Sequence, residues 1–503
     1  MGETRARILI VAVAGLTSAF ASAGCGKGGG AAKPETGAAG AVGTGGIAGG
    51  GATAGAGSND AGSPSDVASD RAENPDTAVT IDGGADGAMA DAASVDCAPA
   101  PASGPTPAGT APMQDAGPVV ASSPTRPELA VDVADVSYTI QKALAQGFNI
   151  NGGTVPDGGA GPVTYSLNDN WDPLSNGIGD PETFTPTFTV AADGSGTHTS
   201  LNNALADANQ LGACGRVYIR VIAGEYRGQV TLASKTSGPA ITLYSTEADA
   251  TKTVIVANAA ASTAGSESAS ATLTIKAIRG FQMKNLTVAN DYVEGSATGN
   301  DQTAVAMLLQ SDQAQFENVR FRGNIGTLYI KSASETVKAR SYFRDCYVEG
   351  DQDFIFGRGT AVFDHTEIRY LAGRQPTGGN IAYPSTLVFN GYGFLFVSCA
   401  FTAEAGASGV SLGRQWPEDS SNTATKGMAV GKMIVRNSTL GAHLGGASPW
   451  SASGARLTTP KVPDGTTPLV VYTSDDYFPD GVGPSPAEPY LAEYRNSGPG
   501  AHP

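Results

Sequence analysis

Two carboxylates two residues apart, Asp351 and Asp353, stand directly before the apolar run Phe354-Ile355-Phe356 in "GDQDFIFGRG". A charge set against apolar residues is costly unless it is paired or used. On a rigid strand, with its solvation restricted, Asp353 can serve as a nucleophile or general acid–base, given a cation to hold its anion. Alternation along a strand puts Asp351 and Asp353 on one face and turns Phe354 and Phe356 to the other, toward a core. The segment "SGVSLGRQWPED" supplies a cation, Arg414, with Trp416 two residues later on the same side. An exposed indole beside an arginine and an aspartate is a surface on which the C–H face of a sugar ring can stack.

Other chemistries fit less well. Four histidines, at positions 198, 365, 443 and 502, are scattered without metal-ligand spacing, so neither a metal nor a cofactor is expected. The formal net charge of −16 is the opposite of a nucleic-acid footprint. A chain this acidic would approach an acidic polymer more easily if the polymer's charge were masked by esterification. "GVSLG", residues 409–413, matches a serine nucleophile-elbow pattern, with Asp419 and His443 following in the right order. That pattern needs a strand, a turn and then a helix, yet "RQWPEDSSNTATKG" has no helical period.

These residues need a scaffold, and the sequence shows a repeating one. A six-residue pattern recurs as "MKNLTV", "FENVRF", "FRDCYV", "FDHTEI", "FVSCAF" and "VRNSTL". Its third positions are Asn285, Asn318, Asp345, His365, Ser398 and Asn437, mostly residue types that tolerate left-handed φ at a sharp corner. After each corner, period two returns with Leu286/Val288, Val319/Phe321, Cys346/Val348, Thr366/Ile368, Cys399/Phe401 and Ser438/Leu440 facing inward. Corner spacing varies from 20 to 39 residues, as when loops are inserted into some turns of a stack. The pattern describes an all-β, single-stranded, right-handed parallel β-helix. Cys346 and Cys399 then lie two coils apart, about 9–10 Å, beyond disulfide reach. Upstream, "ELAVDVADVSYTIQKALAQGF" has the period of one helix, expected as an N-terminal end cap, and "TSLNNALADANQLG" that of a second.

The N-terminal part differs in kind. Arg5 and Arg7 precede an apolar run from Ile8 to Phe20, too short to span a bilayer comfortably, so residues 1–25 read as an export signal. The run ends in "SAGC", resembling a lipobox with Cys25 as the lipidated residue, which would tether the protein to a membrane at the cell envelope. Residues 26–127, rich in Gly, Ala, Asp, Pro and Ser, cannot bury enough apolar surface to fold and are expected to be a disordered tether. Residues 128–503 are left as the folded domain, expected to be a monomer.

Residues 188–440 resemble the pectinesterases (pectin methylesterases). "FTVAADGSGTHTSLNNALADA" and "VYIRVIAGEYRGQV" resemble that family's N-terminal stretch, "DQDFIFG" its nucleophile motif and "LGRQW" its Arg-Trp motif. The outer-membrane lipoprotein branch is the most similar. The resemblance implies methyl-esterified polygalacturonate as the substrate, with Asp353 as nucleophile, Arg414 orienting it and Trp416 lining the sugar subsite. Elsewhere the chain departs from the family. Where relatives read "QAVAL" this chain has "TAVAM", placing Thr303, beside Gln302, at the first oxyanion position. Where they read "YQDTLY" it has "NIGTLY", so Ile325 replaces the second oxyanion glutamine and Gly326 the general acid. An oxyanion donor contributes about 10²–10³ in rate and a positioned acid about 10²–10⁴. Gln302 as a donor and Asp351 as a substitute acid are the local replacements the sequence offers. The alternative is a catalytically impaired, surface-tethered β-helix that binds pectin without hydrolysing it.

Overall fold

The computed structural model describes residues 117–121, 126–146 and 171–501, apart from 213–214, 234–237, 277, 296–300, 334–338, 387–391, 417–428, 430, 445–448 and 452–490. Cys25, the export segment and nearly all of the tether lie outside the described residues. Among the described residues, no helix is long and apolar enough to cross a membrane.

Among the described residues strand pairing is parallel, and the chain winds as a right-handed parallel β-helix. All six corner residues named from the sequence have positive φ: Asn285 (61°), Asn318 (52°), Asp345 (49°), His365 (50°), Ser398 (53°) and Asn437 (52°). They stack along one edge, because the residues before them pair in register: Glu317 with Arg344, Arg344 with Asp364, Asp364 with Val397, and Val397 with Arg436. Asn318 Nδ2 donates to Asn285 Oδ1 at 2.9 Å, so the first two corners are also bonded through their side chains. A further corner, Arg495 (φ 49°), closes a coil that the six-residue pattern does not reveal, since arginine is an unusual residue there.

The inward rows form the core as expected, with Thr366 and Ser438 as its buried hydroxyls. Cys346 and Cys399 are free and buried, and burial pushes both thiols well above the usual range. Leading four of the six repeats, Phe316, Phe343, Phe363 and Phe396 form a ladder of stacked rings with centroids 4.6, 4.7 and 4.6 Å apart. Such stacks add to the area each ring buries and help hold the coils in register.

The upstream segment folds differently from expectation. It forms two short helices, Val131–Ser137 and Ile140–Gln146. They lie on the side of the stack, where Leu129, Ala134, Tyr138, Ala143 and Leu144 cover Tyr342, Val362, Leu395 and Ile434. Arg340, fully buried, ties this layer down by donating to Leu144 O at 2.9 Å and pairing with Asp312 at 2.7 Å. The N-terminal cap is instead the second expected helix, Leu201–Ala208, whose Leu201, Ala204, Leu205 and Ala208 enter the main core. Ser411 of "GVSLG" lies in the strand Ser411–Gly413, so the context that a nucleophile elbow requires is absent there.

Replacing one rung of the phenylalanine ladder tests what holds the coils in register. Phe363→Ala is expected to cost about 3–5 kcal/mol through cavity formation, read as a fall in the denaturant midpoint with the slope unchanged.

Candidate functional site

One sheet carries the site. Its strands run in the order Val230–Ala233, Leu273–Lys276, Met307–Gln310, Leu328–Ile330, Ile355–Gly357, Asn380–Pro384 and Ser411–Gly413. Tyr329 pairs with Phe356 and Phe356 with Tyr383. Ala382 pairs with Gly413, which puts Arg414 next in this outward row.

Asp353 lies in the turn before Ile355–Gly357, with φ 45°, and not within a strand. Its left-handed conformation breaks the simple alternation expected from the sequence. Phe354 and Ile355 both enter the core, whereas Phe356 turns outward into a cluster with Tyr329 and Trp416. The turn is fixed by the Asp353 N–H, which donates to Asn380 O at 2.7 Å.

Arg414 is two coils away from Asp353, with Asn380–Pro384 between. It spans that distance by lying over the Tyr383 ring, 4.1 Å from its centroid. Arg414 Nη2 donates to Asp353 Oδ2 at 2.7 Å and Nε to Oδ1 at 3.2 Å. Both side chains are nearly buried, at 11% and 12% exposure. Such a two-point guanidinium contact favours the ionised carboxylate and fixes its plane. The cost of placing Asp353 against apolar residues is thus offset by a partner that holds its anion.

Trp416 is packed more deeply than expected. It is only 9% exposed, stacked on Tyr383 at 5.3 Å and set against Phe356 at 5.9 Å. Its indole therefore supports the floor of the groove more than it presents a free face.

The remaining sequence candidates separate. Ile325 pairs with Gln352 on the next coil, and Gly326 N donates to Gln352 O at 3.2 Å, which sets Gly326 beside Asp353. Thr303 lies beside Gly326 on the preceding coil; its hydroxyl donates to Asp301 Oδ1 at 2.7 Å. Gln302 exchanges hydrogen bonds with the backbone of Gly295 at 2.7 and 3.3 Å. Asp351 is 1% exposed, and each of its oxygens accepts from Arg374 at 2.8 Å.

Two polar groups in the site were missed by sequence reasoning. Gln352 Nε2 donates to Asp353 Oδ2 at 2.7 Å. The only hint was its place between two acids. Glu294, in a loop without periodicity, accepts from Asn324 Nδ2 at 2.6 Å and from Ile325 N at 3.3 Å. Burial raises its carboxyl above the usual range, and nearby Asp351 adds to the rise against these two hydrogen bonds.

Fold and site together define a parallel β-helix protein with a nearly buried carboxylate–guanidinium pair on the outward face of one sheet. The pectinesterase family signature matches residues 187–436. A pectinesterase of Ralstonia solanacearum is 37% identical over 358 residues, covering 66% of this chain and 86% of the relative. Pectinesterase B of Dickeya dadantii is 29% identical over 306 residues, covering 51% and 69%. Among solved structures, rice weevil pectin methyl esterase aligns with a TM-score of 0.55 at 21% identity, covering 76% of this chain and 99% of that one. The chain belongs to the pectinesterase family.

Gly326 is closed to a side chain in this structure. A Cβ there would lie 2.4 Å from Thr303 Cγ2 and 3.3 Å from Phe356 Cε1, on a residue with φ +69°. Gly326→Asp is therefore expected to lower the denaturant midpoint. Adding Thr303→Ser, which removes the obstructing methyl and keeps the hydroxyl, should recover part of the loss. Equal midpoints for the two variants would show that the methyl is not the obstacle.

Proposed function

We propose that this chain hydrolyses the methyl esters of polygalacturonate, with Asp353 as nucleophile. The observation that carries this reading is the nearly buried Asp353–Arg414 pair at the foot of an aromatic groove, in a chain of this family. In the first step an Asp353 oxygen bonds to the ester carbonyl carbon, and the C–O bond to methoxide breaks. The methoxide takes a proton and leaves as methanol. Water then attacks the acyl-enzyme, returning Asp353 as its anion and releasing galacturonic acid, which passes its own proton to solvent to become the carboxylate. Arg414 keeps Asp353 ionised and in plane, and the half-buried Tyr383, resting against Trp416 above Phe356, seats the sugar.

Gly326 has no proton to give, and Asp351 is an acceptor for both arms of Arg374. We assign the proton to Glu294, which is bonded to the Asn324–Ile325 edge beside Gly326 and is favoured in its protonated form by burial. In the second step the same carboxylate recovers a proton from the attacking water. The impaired-binder reading keeps one observation in its favour, the absence of an acid at Gly326.

Methanol release from highly methylated pectin decides between these readings. The wild-type chain is expected to release methanol, and Asp353→Asn to abolish it while the unfolding midpoint is retained. Pectin binding without methanol release by the wild type would establish the binder. Glu294 makes a separate prediction. A raised carboxyl is protonated below its shifted value, so kcat should fall as pH rises through it. Glu294→Gln should remove that falling limb and lower the rate by about 10²–10⁴. An unchanged rate and profile would take the role from Glu294.

A further inference from the structure

The groove holds a neutral donor that the steps above leave unused, and the inference from it rests on that reading of the reaction. We propose that Gln352 is a catalytic residue, its Nε2–H donating to the ester carbonyl oxygen as negative charge develops there.

The geometry begins at the nucleophile. Gln352 Nε2 lies 2.7 Å from Asp353 Oδ2. A carbonyl carbon approached by that carboxylate sits about 3–3.5 Å from the attacking oxygen, with its own oxygen one bond further. A donor already touching the carboxylate therefore reaches the carbonyl oxygen with a small side-chain rotation. The backbone of Gln352 does not need to move, since it is pinned by the Gly326 N–H on one coil and paired with Ile325.

The surroundings leave this task open. Ile325 presents only alkyl carbon. The Thr303 hydroxyl is committed to Asp301 and the Gln302 amide to Gly295. Ile325 and Gln352 are direct partners on adjacent coils, so a carboxamide at either position extends into the same part of the groove. In this chain the carboxamide is carried by the later coil.

The electron balance is simple. As the Asp353 oxygen bonds to carbon, the carbonyl π pair moves onto oxygen, and the Gln352 N–H stabilises that charge without giving up its proton. When the carbonyl re-forms, methoxide is expelled and the hydrogen bond weakens. Before substrate arrives, the same amide holds the nucleophile, so it is released to the carbonyl only when the ester binds.

Two ligands separate this role from a merely structural one. The first is a methyl-esterified oligogalacturonide. The second carries a methyl phosphonate, a tetrahedral anion, in place of one ester. Binding to both is measured by calorimetry on the wild type, Gln352→Ala, and Gln352→Ala combined with Ile325→Gln. The expected result is phosphonate binding weakened about 10²-fold in Gln352→Ala, with ester binding within twofold. The double variant should recover at least tenfold of the loss, because the amide returns from the neighbouring coil. kcat for methanol release should follow phosphonate affinity, with KM nearly constant. Equal losses for both ligands, no loss for either, or no recovery in the double variant would overturn the assignment. Wild-type protein that binds both ligands but releases no methanol would defeat the esterase reading alone, because the binding comparison still decides what Gln352 does.

Discussion

The contact between Asp353 and Arg414 depends on residues 61 positions apart in sequence and two coils apart in the stack. Coils stack at about 4.8 Å, so the guanidinium must cross an intervening coil to reach the carboxylate. Tyr383 makes this possible by giving the cation a flat aromatic surface to lie on. Trp416, stacked against Tyr383 at 5.3 Å, helps keep that ring in place. A slip of one residue in any of these coils would turn side chains to the opposite face and separate the pair. The phenylalanine ladder, the left-handed corners and the lateral helices all resist such a slip. The stability of the scaffold and the geometry of the site are therefore one problem.

The same constraint explains how the site differs from what the family resemblance implies. Positions 303, 326 and 353 lie side by side on three successive coils, so a side chain at one restricts its neighbours. With Thr303 and Phe356 pressed against Gly326, the middle position is filled from both sides. Polar groups are still available next to it, but from elsewhere in the chain. Gln352 comes from the following coil and Glu294 from a loop. In a β-helix such exchange is easy, because adjacent coils present equivalent positions a few ångströms apart.

Much of the fold was legible because the corners leave a chemical mark. Asn, Asp and His at the third position of a hexad signal positive φ, and the inward residues after them follow period two. Arg495 has the same conformation without such a side chain, so its coil stayed hidden. Helical period showed that one face of the upstream segment is buried but not which surface covers it, and the segment proved to lie along the side of the stack. In the site, Asp353 and Arg414 stood out as a charge beside an apolar run and a cation beside an indole. Their two-coil separation did not, since alternation gives the face of a residue and not the number of coils between two. The outward turn of Phe356 followed from a left-handed aspartate that no pattern marked. Glu294 and Arg374 come from loops, where sequence has no period to read.

The central claim is that an ester carbonyl is presented to Asp353 in this groove. It is tested most directly by a crystal structure of the Asp353→Asn protein with a methyl-esterified oligogalacturonide. The account predicts a sugar seated against Tyr383, with its C6 carbonyl carbon about 3–3.5 Å from the residue 353 side chain and its carbonyl oxygen facing Gln352. A saccharide bound along the groove with every C6 carbonyl turned away from residue 353, or bound elsewhere on the stack, would contradict it.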